Sequence, residues 1–296
     1  MNRIFESLIS AFLYTFSLLP LSILYFFSKI LFFISFYLLK YRSYVVYSNL
    51  KKSFPDKNKK EINQIAKGFY KHFSDLVFET LKLTSISSKE LKKRIKIKNI
   101  ELVDKLYSEN KSVILYLGHY GNWEWLAVLP LLLKHKVLTF YQSLSSSYMD
   151  KHMKSLREKF GVKAIESHSG YKNLVNYSEQ NICTFTLMIG DQGPAGPSKK
   201  YWTNFLNQET AYLVGADRIA RRVNHAIVYP FVEKIRRGYY EIEFKFIELN
   251  PEKTELNEVI EKFSQQLEAN IQHNPSLWLW SHRRWKRKRK IENMNN

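Results

Sequence analysis

Cysteine is almost absent. Cys183 stands alone in 296 residues, which excludes an internal disulfide and, with it, the small stapled scaffolds. Its position in the apolar run Ile182 to Ile189 marks it as an inert buried thiol rather than a nucleophile, and it fits a reducing compartment. No group of His and Cys has metal-ligand spacing, so neither a metal nor a cofactor is expected. Acidic residues are scarce, 27 against 46 basic, for a net charge of +19. That excess selects anionic partners: a membrane surface, phosphorylated lipid, an acidic carrier protein or nucleic acid. Charge of either sign nearly vanishes between Ser7 and Leu39, where Lys29 is the one ionised side chain. Internal repeats and low-complexity linkers are missing too, so the expectation is one large domain with an anchor.

The uncharged stretch Ser7 to Ser28 is long enough to cross a bilayer core. Pro20 interrupts it, which leaves two arrangements: one kinked spanning helix, or two helices of which the second lies in the membrane face. No small-x-small cleavage site follows, so a removed signal peptide is not expected. Lys40, Arg42, Lys51 and Lys52 outnumber Arg3, so the positive-inside bias puts the remainder of the chain on the cytoplasmic side. The division expected is an anchor over 1–40, a domain over 41–286 and a basic tail end over 287–296.

Past the anchor the pattern alternates. A helix is expected from Lys59 to Leu83, with Ile62, Ile65, Phe69, Phe73, Val77 and Leu81 as its core stripe. Apolar strand candidates at 112–117, 137–141, 162–166 and 182–189 are separated by helical stretches at about 123–134, 147–160 and 170–179. Two more, 226–235 and 239–249, meet at Arg236-Arg237-Gly238 as a hairpin. A helix follows from about Glu255 to His273. This is α/β grammar: a mixed, mostly parallel sheet flanked by helices, with reactive groups collecting beyond the strand ends.

The residues that carry chemistry begin at Gly118-His119-Tyr120-Gly121-Asn122-Trp123-Glu124, directly after the apolar run Val113 to Leu117. A histidine that removes a proton from a hydroxyl works better when a carboxylate fixes its tautomer and stabilises the imidazolium. On a continuous helix a five-residue offset would turn His119 and Glu124 roughly 140° apart. The two glycines permit another geometry, with His119 on the turn leaving a strand, Glu124 in the first turn of the next helix and Asn122 as its cap.

Several blocks together resemble a family. Gly118 to Glu124 is similar to the H-x4-D/E block of the late acyltransferases of lipid A biosynthesis, members of the lysophospholipid acyltransferase-like superfamily. Arg42-Ser43-Tyr44-Val45-Val46-Tyr47-Ser48-Asn49-Leu50 with Phe54-Pro55, Asp191-Gln192-Gly193-Pro194 and Gly215-Ala216-Asp217-Arg218-Ile219-Ala220 follow in the family's order. Pro275-Ser276-Leu277-Trp278-Leu279-Trp280-Ser281-His282-Arg283-Arg284-Trp285-Lys286 resembles its closing signature. The chain departs from the family pattern at Tyr141-Gln142 and at Trp202-Thr203-Asn204-Phe205-Leu206.

The resemblance implies a glycerolipid-acyltransferase-like fold on an inner (cytoplasmic) membrane. It also implies transfer of a fatty acyl group from an acyl carrier protein thioester to a hydroxyl of a 3-hydroxyacyl chain on a lipid A precursor. His119 would be the general base and Glu124 its orienter. Arg157 is the candidate for an oxyanion donor or phosphate clamp. Asp191 and Gln192 are candidates for orienting the centre or binding donor. Asn122, Arg42, Arg283 and Arg284 complete the substrate-binding or oxyanion set. The basic run Arg283 to Lys290 is assigned to anionic lipid, not to nucleic acid. Two other readings stay open: an acyltransferase with a different lipid acceptor, and a non-catalytic anchored protein that binds anionic lipid or nucleic acid.

Overall fold

The computed structural model describes residues 3–194 and 200–289. Gly196-Pro197 and Lys290, both singled out in the sequence, lie outside them, as do residues 291–296 of the tail end.

Pro20 divides the N-terminal apolar stretch into α1 (Arg3–Leu18) and α2 (Leu21–Phe33), and α2 runs on through a π-helical turn over Ile34–Leu38. Two helical segments form because Pro20 cannot donate to the ladder and caps the start of α2. Helices α3 (Ser43–Ser53), α4 (Lys59–Leu83) and α5 (Ser88–Arg94) follow, then strand β1 (Ile95–Ile97) and α6 (Ile100–Ser108). Next come β2 (Val113–Leu117), a 3₁₀ helix over Trp123–Leu131, β3 (Lys136–Tyr141), α7 (Ser147–Glu158) and β4 (Lys163–Glu166). Then follow α8 (Gly170–Glu179), β5 (Thr184–Ile189), β6 (Lys200–Phe205), β7 (Gln208–Leu213) and α9 (Gly215–Val223). The hairpin β8 (Ala226–Arg236) and β9 (Tyr239–Glu248) leads to α10 (Glu258–His273).

Seven strands form one sheet in the order β1-β9-β8-β2-β5-β3-β4, with β8–β9 its antiparallel pair; β6 and β7 make a separate antiparallel ribbon. The central strands β2 and β5 are buried almost throughout, as a sheet covered on both faces requires. Their register is direct: Val113 pairs with Phe185 and Leu117 with Ile189. In a parallel pair of fixed register, residues two places beyond each strand end stay neighbours. Positions 119 and 191 are therefore brought side by side.

Helix α4 differs from its expected stripe. Ile62, Ala66, Phe69, Leu76 and Leu83 are buried, but Val77 is exposed, and His72, Asp75 and Glu79 occupy the buried face with them. The helix is oriented by a polar network rather than by apolar spacing alone. Its start is well defined, since Asn58 and Glu61 form a reciprocal capping box. The segment after Asn122 is a 3₁₀ helix and not an α-helix, with Pro130 inside it. Cys183 is half-buried rather than buried, and burial pushes its thiol above the ordinary value.

Candidate active site

The turn after β2 carries His119. Its backbone N–H donates to Asp191 Oδ2 at 2.8 Å and its ring Nδ1 lies 2.6 Å from Asp191 Oδ1. Trp278 Nε1–H donates a third bond to Asp191 Oδ2 at 2.8 Å. Burial would raise the Asp191 pKa, yet the His119 ring, its two bonds and the Trp278 bond outweigh this and hold the carboxyl below its ordinary value. An ionised Asp191 can only accept, so His119 carries its proton on Nδ1. Nε2 is left with its lone pair facing outward, where the Gln192 side-chain amide approaches to 3.3 Å. That is the tautomer a general base needs.

The ring nitrogen expected to face Glu124 thus faces Asp191. Glu124 is held elsewhere: Arg157 donates to it through Nε at 3.0 Å and Nη2 at 2.7 Å, and Trp123 Nε1 at 3.2 Å. This fork-to-fork pairing fixes the Arg157 plane and, among the described residues, leaves Nη1 unused. Burial would lower the Arg157 pKa, but Glu124 raises it further, so the cation persists at all relevant pH. Asn122 caps the 3₁₀ helix as expected, its side chain accepting from Trp125 N–H at 3.1 Å. Trp123 meets the His119 ring edge-to-face at 5.0 Å.

His119, Glu124, Arg157 and Gln192 all line one cavity of about 710 Å³ at the C-terminal edge of the sheet. Phe140, Leu144, Met149, Met153 and Val162 give it an apolar wall, with Lys154 beside Arg157. Such a shape takes a long apolar ligand with a polar group held at one end.

The arginines of the first and last blocks lie elsewhere. Arg42 adopts a left-handed backbone (φ 49°) and donates from Nη1 to the Ser281 carbonyl at 3.0 Å. Asn49 Nδ2 bonds the carbonyls of Trp280 and His282. Arg284 is 3% exposed, with its guanidinium 4.5 Å over the Tyr212 ring, and Arg283 faces solvent. None of these three arginines lines the cavity, and the early and late blocks hold each other.

The closing block instead reaches the site through its backbone and Trp278. Tyr120 and Trp278 form an antiparallel bridge. Leu279 N–H donates to the His119 carbonyl at 3.1 Å, and Gly121 N–H donates to the Leu277 carbonyl at 3.0 Å. Trp278 is thus a donor to Asp191, a role that no local sequence pattern signals.

A search of curated proteins returned no match. A family model for the bacterial lipid A biosynthesis acyltransferases matches residues 1–287. With nearly the whole chain matched, the protein belongs to the bacterial lipid A biosynthesis acyltransferase family and is an acyltransferase.

Proposed function

We propose that the enzyme transfers a fatty acyl group from an acyl carrier protein thioester to the hydroxyl of a 3-hydroxyacyl chain on a lipid A precursor, with His119 as general base and Asp191 as its orienter. The observation that carries this is the lone pair of His119 Nε2, presented to the cavity by the Nδ1–Asp191 bond. Nε2 takes the hydroxyl proton as the oxygen attacks the thioester carbonyl. The tetrahedral intermediate collapses with cleavage of the C–S bond, and the imidazolium returns the proton to the leaving thiolate. No covalent enzyme intermediate is needed. Arg157, with Nε and Nη2 fixed on Glu124, offers Nη1 to the oxyanion or to a phosphate; one such donor commonly contributes about 3 kcal/mol. Glu124 in this reading acts through Arg157. The apolar wall receives the acyl chain, and the surplus of 19 positive charges attracts acidic carrier and phosphorylated acceptor alike.

We further propose that the helix pair rests in the plane of the cytoplasmic membrane face. Helix α2 packs antiparallel along α4: Tyr25 reaches Glu79, Ser28 reaches Asp75, and Lys71 stands over Phe32. Its outer face leaves Ile23, Phe26, Ile30 and Phe33 exposed, continued by Phe5, Leu8 and Phe12 on α1. Leu21–Leu38 is long and apolar enough to span. A spanning α2 would, however, bring Asp75, Lys234 and Arg237 to bilayer depth, at about 3 kcal/mol for each charge on insertion scales. An in-plane helix buries only the outer face.

The test offers detergent-solubilised enzyme acyl carrier protein thioesters of several lengths with a tetra-acylated lipid A precursor. The expected result is a mass gain of one acyl group that falls by roughly 10²–10⁴-fold in His119→Ala. Folded enzyme that ignores this precursor but acylates a lysophospholipid would overturn the acceptor assignment.

A further inference from the structure

Glu79 is the most deeply buried carboxylate in contact with the catalytic turn. It is 0% exposed and accepts from three elements at once: Tyr25 Oη on α2 at 2.9 Å, Asn122 Nδ2 at 2.7 Å and Tyr240 Oη on β9 at 2.8 Å. Its backbone carbonyl takes a fourth bond, from Trp125 Nε1 at 2.9 Å. Two turns earlier on the same helix, His72 Nε2–H donates to the Gly121 carbonyl at 3.1 Å. Gly121 is itself in the left-handed region (φ 63°), with Val232 so close that an added Cβ would stand 2.8 Å from it. Helix α4 thus grips the link between His119 and Glu124 at Gly121, Asn122 and Trp125.

A packing role alone does not account for this arrangement. A buried carboxylate is costly unless its oxygens are fully bonded, and an apolar side chain of similar size would fill the space without that cost. What only an acceptor can do is orient Asn122. With Nδ2 held by Glu79, Asn122 Oδ1 must face Trp125 N–H and cap the 3₁₀ helix that carries Glu124. Without it the amide is free to turn over and the cap is lost.

We propose that Glu79 is a positioning residue for acyl transfer. Through Asn122 it sets the relation between His119 and the Glu124–Arg157 pair, and through Tyr25 it ties that relation to the seating of α2. The proposal rests on the general-base reading above.

The test compares full-length wild type with Glu79→Leu, Glu79→Gln, Asn122→Ala and Tyr25→Phe, and with Asn58→Ala, which weakens the distant start of α4, as a stability control. Steady-state constants and the pH profile of kcat are measured well below each thermal midpoint, on whichever lipid acceptor the wild type acylates. A wild type silent towards the lipid A precursor therefore overturns the acceptor assignment and not this proposal. Glu79→Leu and Asn122→Ala are expected to lose about 100-fold in kcat, with KM within about twofold and a displaced pH profile. Glu79→Gln, whose amide oxygen can still accept from Asn122 while its NH₂ serves Tyr25, is expected to recover most of the loss. The proposal is overturned if Glu79→Leu keeps kcat within about twofold of wild type, or if Asn58→Ala loses kcat as steeply. Should Glu79→Leu fail to fold, Asn122→Ala decides: an unchanged kcat and pH profile there overturns it equally.

Discussion

Asp191 accepts three hydrogen bonds on two oxygens while 2% exposed, and its charge strengthens all three. Asp191→Asn keeps the shape but offers an amide NH₂ to one of these donors, and it favours the wrong His119 tautomer. A loss of kcat of the order of 10⁴-fold is expected, with KM little changed, read from steady-state kinetics. The same residue has a stability signature. Its folded pKa lies below the ordinary 3.8, so its contribution is complete above that value and disappears as pH falls through the folded one. The unfolding free-energy gap between wild type and Asp191→Asn should therefore be constant near neutrality and narrow below about pH 4, as denaturant titrations would show. Arg157→Lys is expected to cut kcat by about 10²-fold, because a point charge cannot bridge both Glu124 oxygens and still present a donor.

At the scale of elements, α4 both positions and limits the fold. Burial foremost, then the Lys234 charge, pushes the His72 imidazole down to about 3 from 6.5. Between those values the unfolded chain binds a proton the folded one refuses, so stability falls as pH drops through that window. His225, pushed to about 4 by burial, acts in the same direction. His72→Gln retains a donor for the Gly121 carbonyl and removes the titration, so its thermal midpoint should decline less steeply between pH 6.5 and 4. At the other end, Asn58→Ala should cost about 1 kcal/mol of stability by removing the capping box, seen as a lower denaturation midpoint.

Much of this architecture was legible in the chain. Helix α4, four apolar strands, the β8–β9 hairpin and the Asn122 cap fall where periodicity and turn residues placed them. What escaped was non-local. Ile95 to Ile97 is too short to signal a strand, and Lys200 to Phe205 shows no clean alternation of burial because it forms a ribbon outside the main sheet. The choice of Glu124 as orienter followed sequence spacing. The ring faces Asp191 instead because β2 and β5 are neighbours in register, a property of the crossover order that no local window contains.

For the whole molecule, the proposed membrane seat turns on charge and on the outer faces of α1 and α2. Phe26→Glu with Phe33→Glu should leave the fold intact and weaken binding to anionic vesicles by tenfold or more, on the order of 1 kcal/mol or above, in co-sedimentation. Wild-type binding should also decline with added salt, since much of the attraction is electrostatic. An epitope fused ahead of Arg3 is expected on the same membrane side as the catalytic domain, by protease access to sealed vesicles; opposite sides would restore the spanning arrangement. The mutual grip of Arg42 and Asn49 on Ser281, Trp280 and His282 also bears on how the enzyme is made. Synthesis supplies α1 and α2 first and Trp278, one of the two partners of Asp191, only after every strand of both sheets, while domains generally acquire structure as units during translation. On the proposed membrane seat, the nascent chain would settle on lipid before the Asp191–Trp278 bond can form. A ribosome that stalls ahead of Trp278 would thus leave Asp191 without its indole donor and, on the proposed mechanism, leave an inert protein.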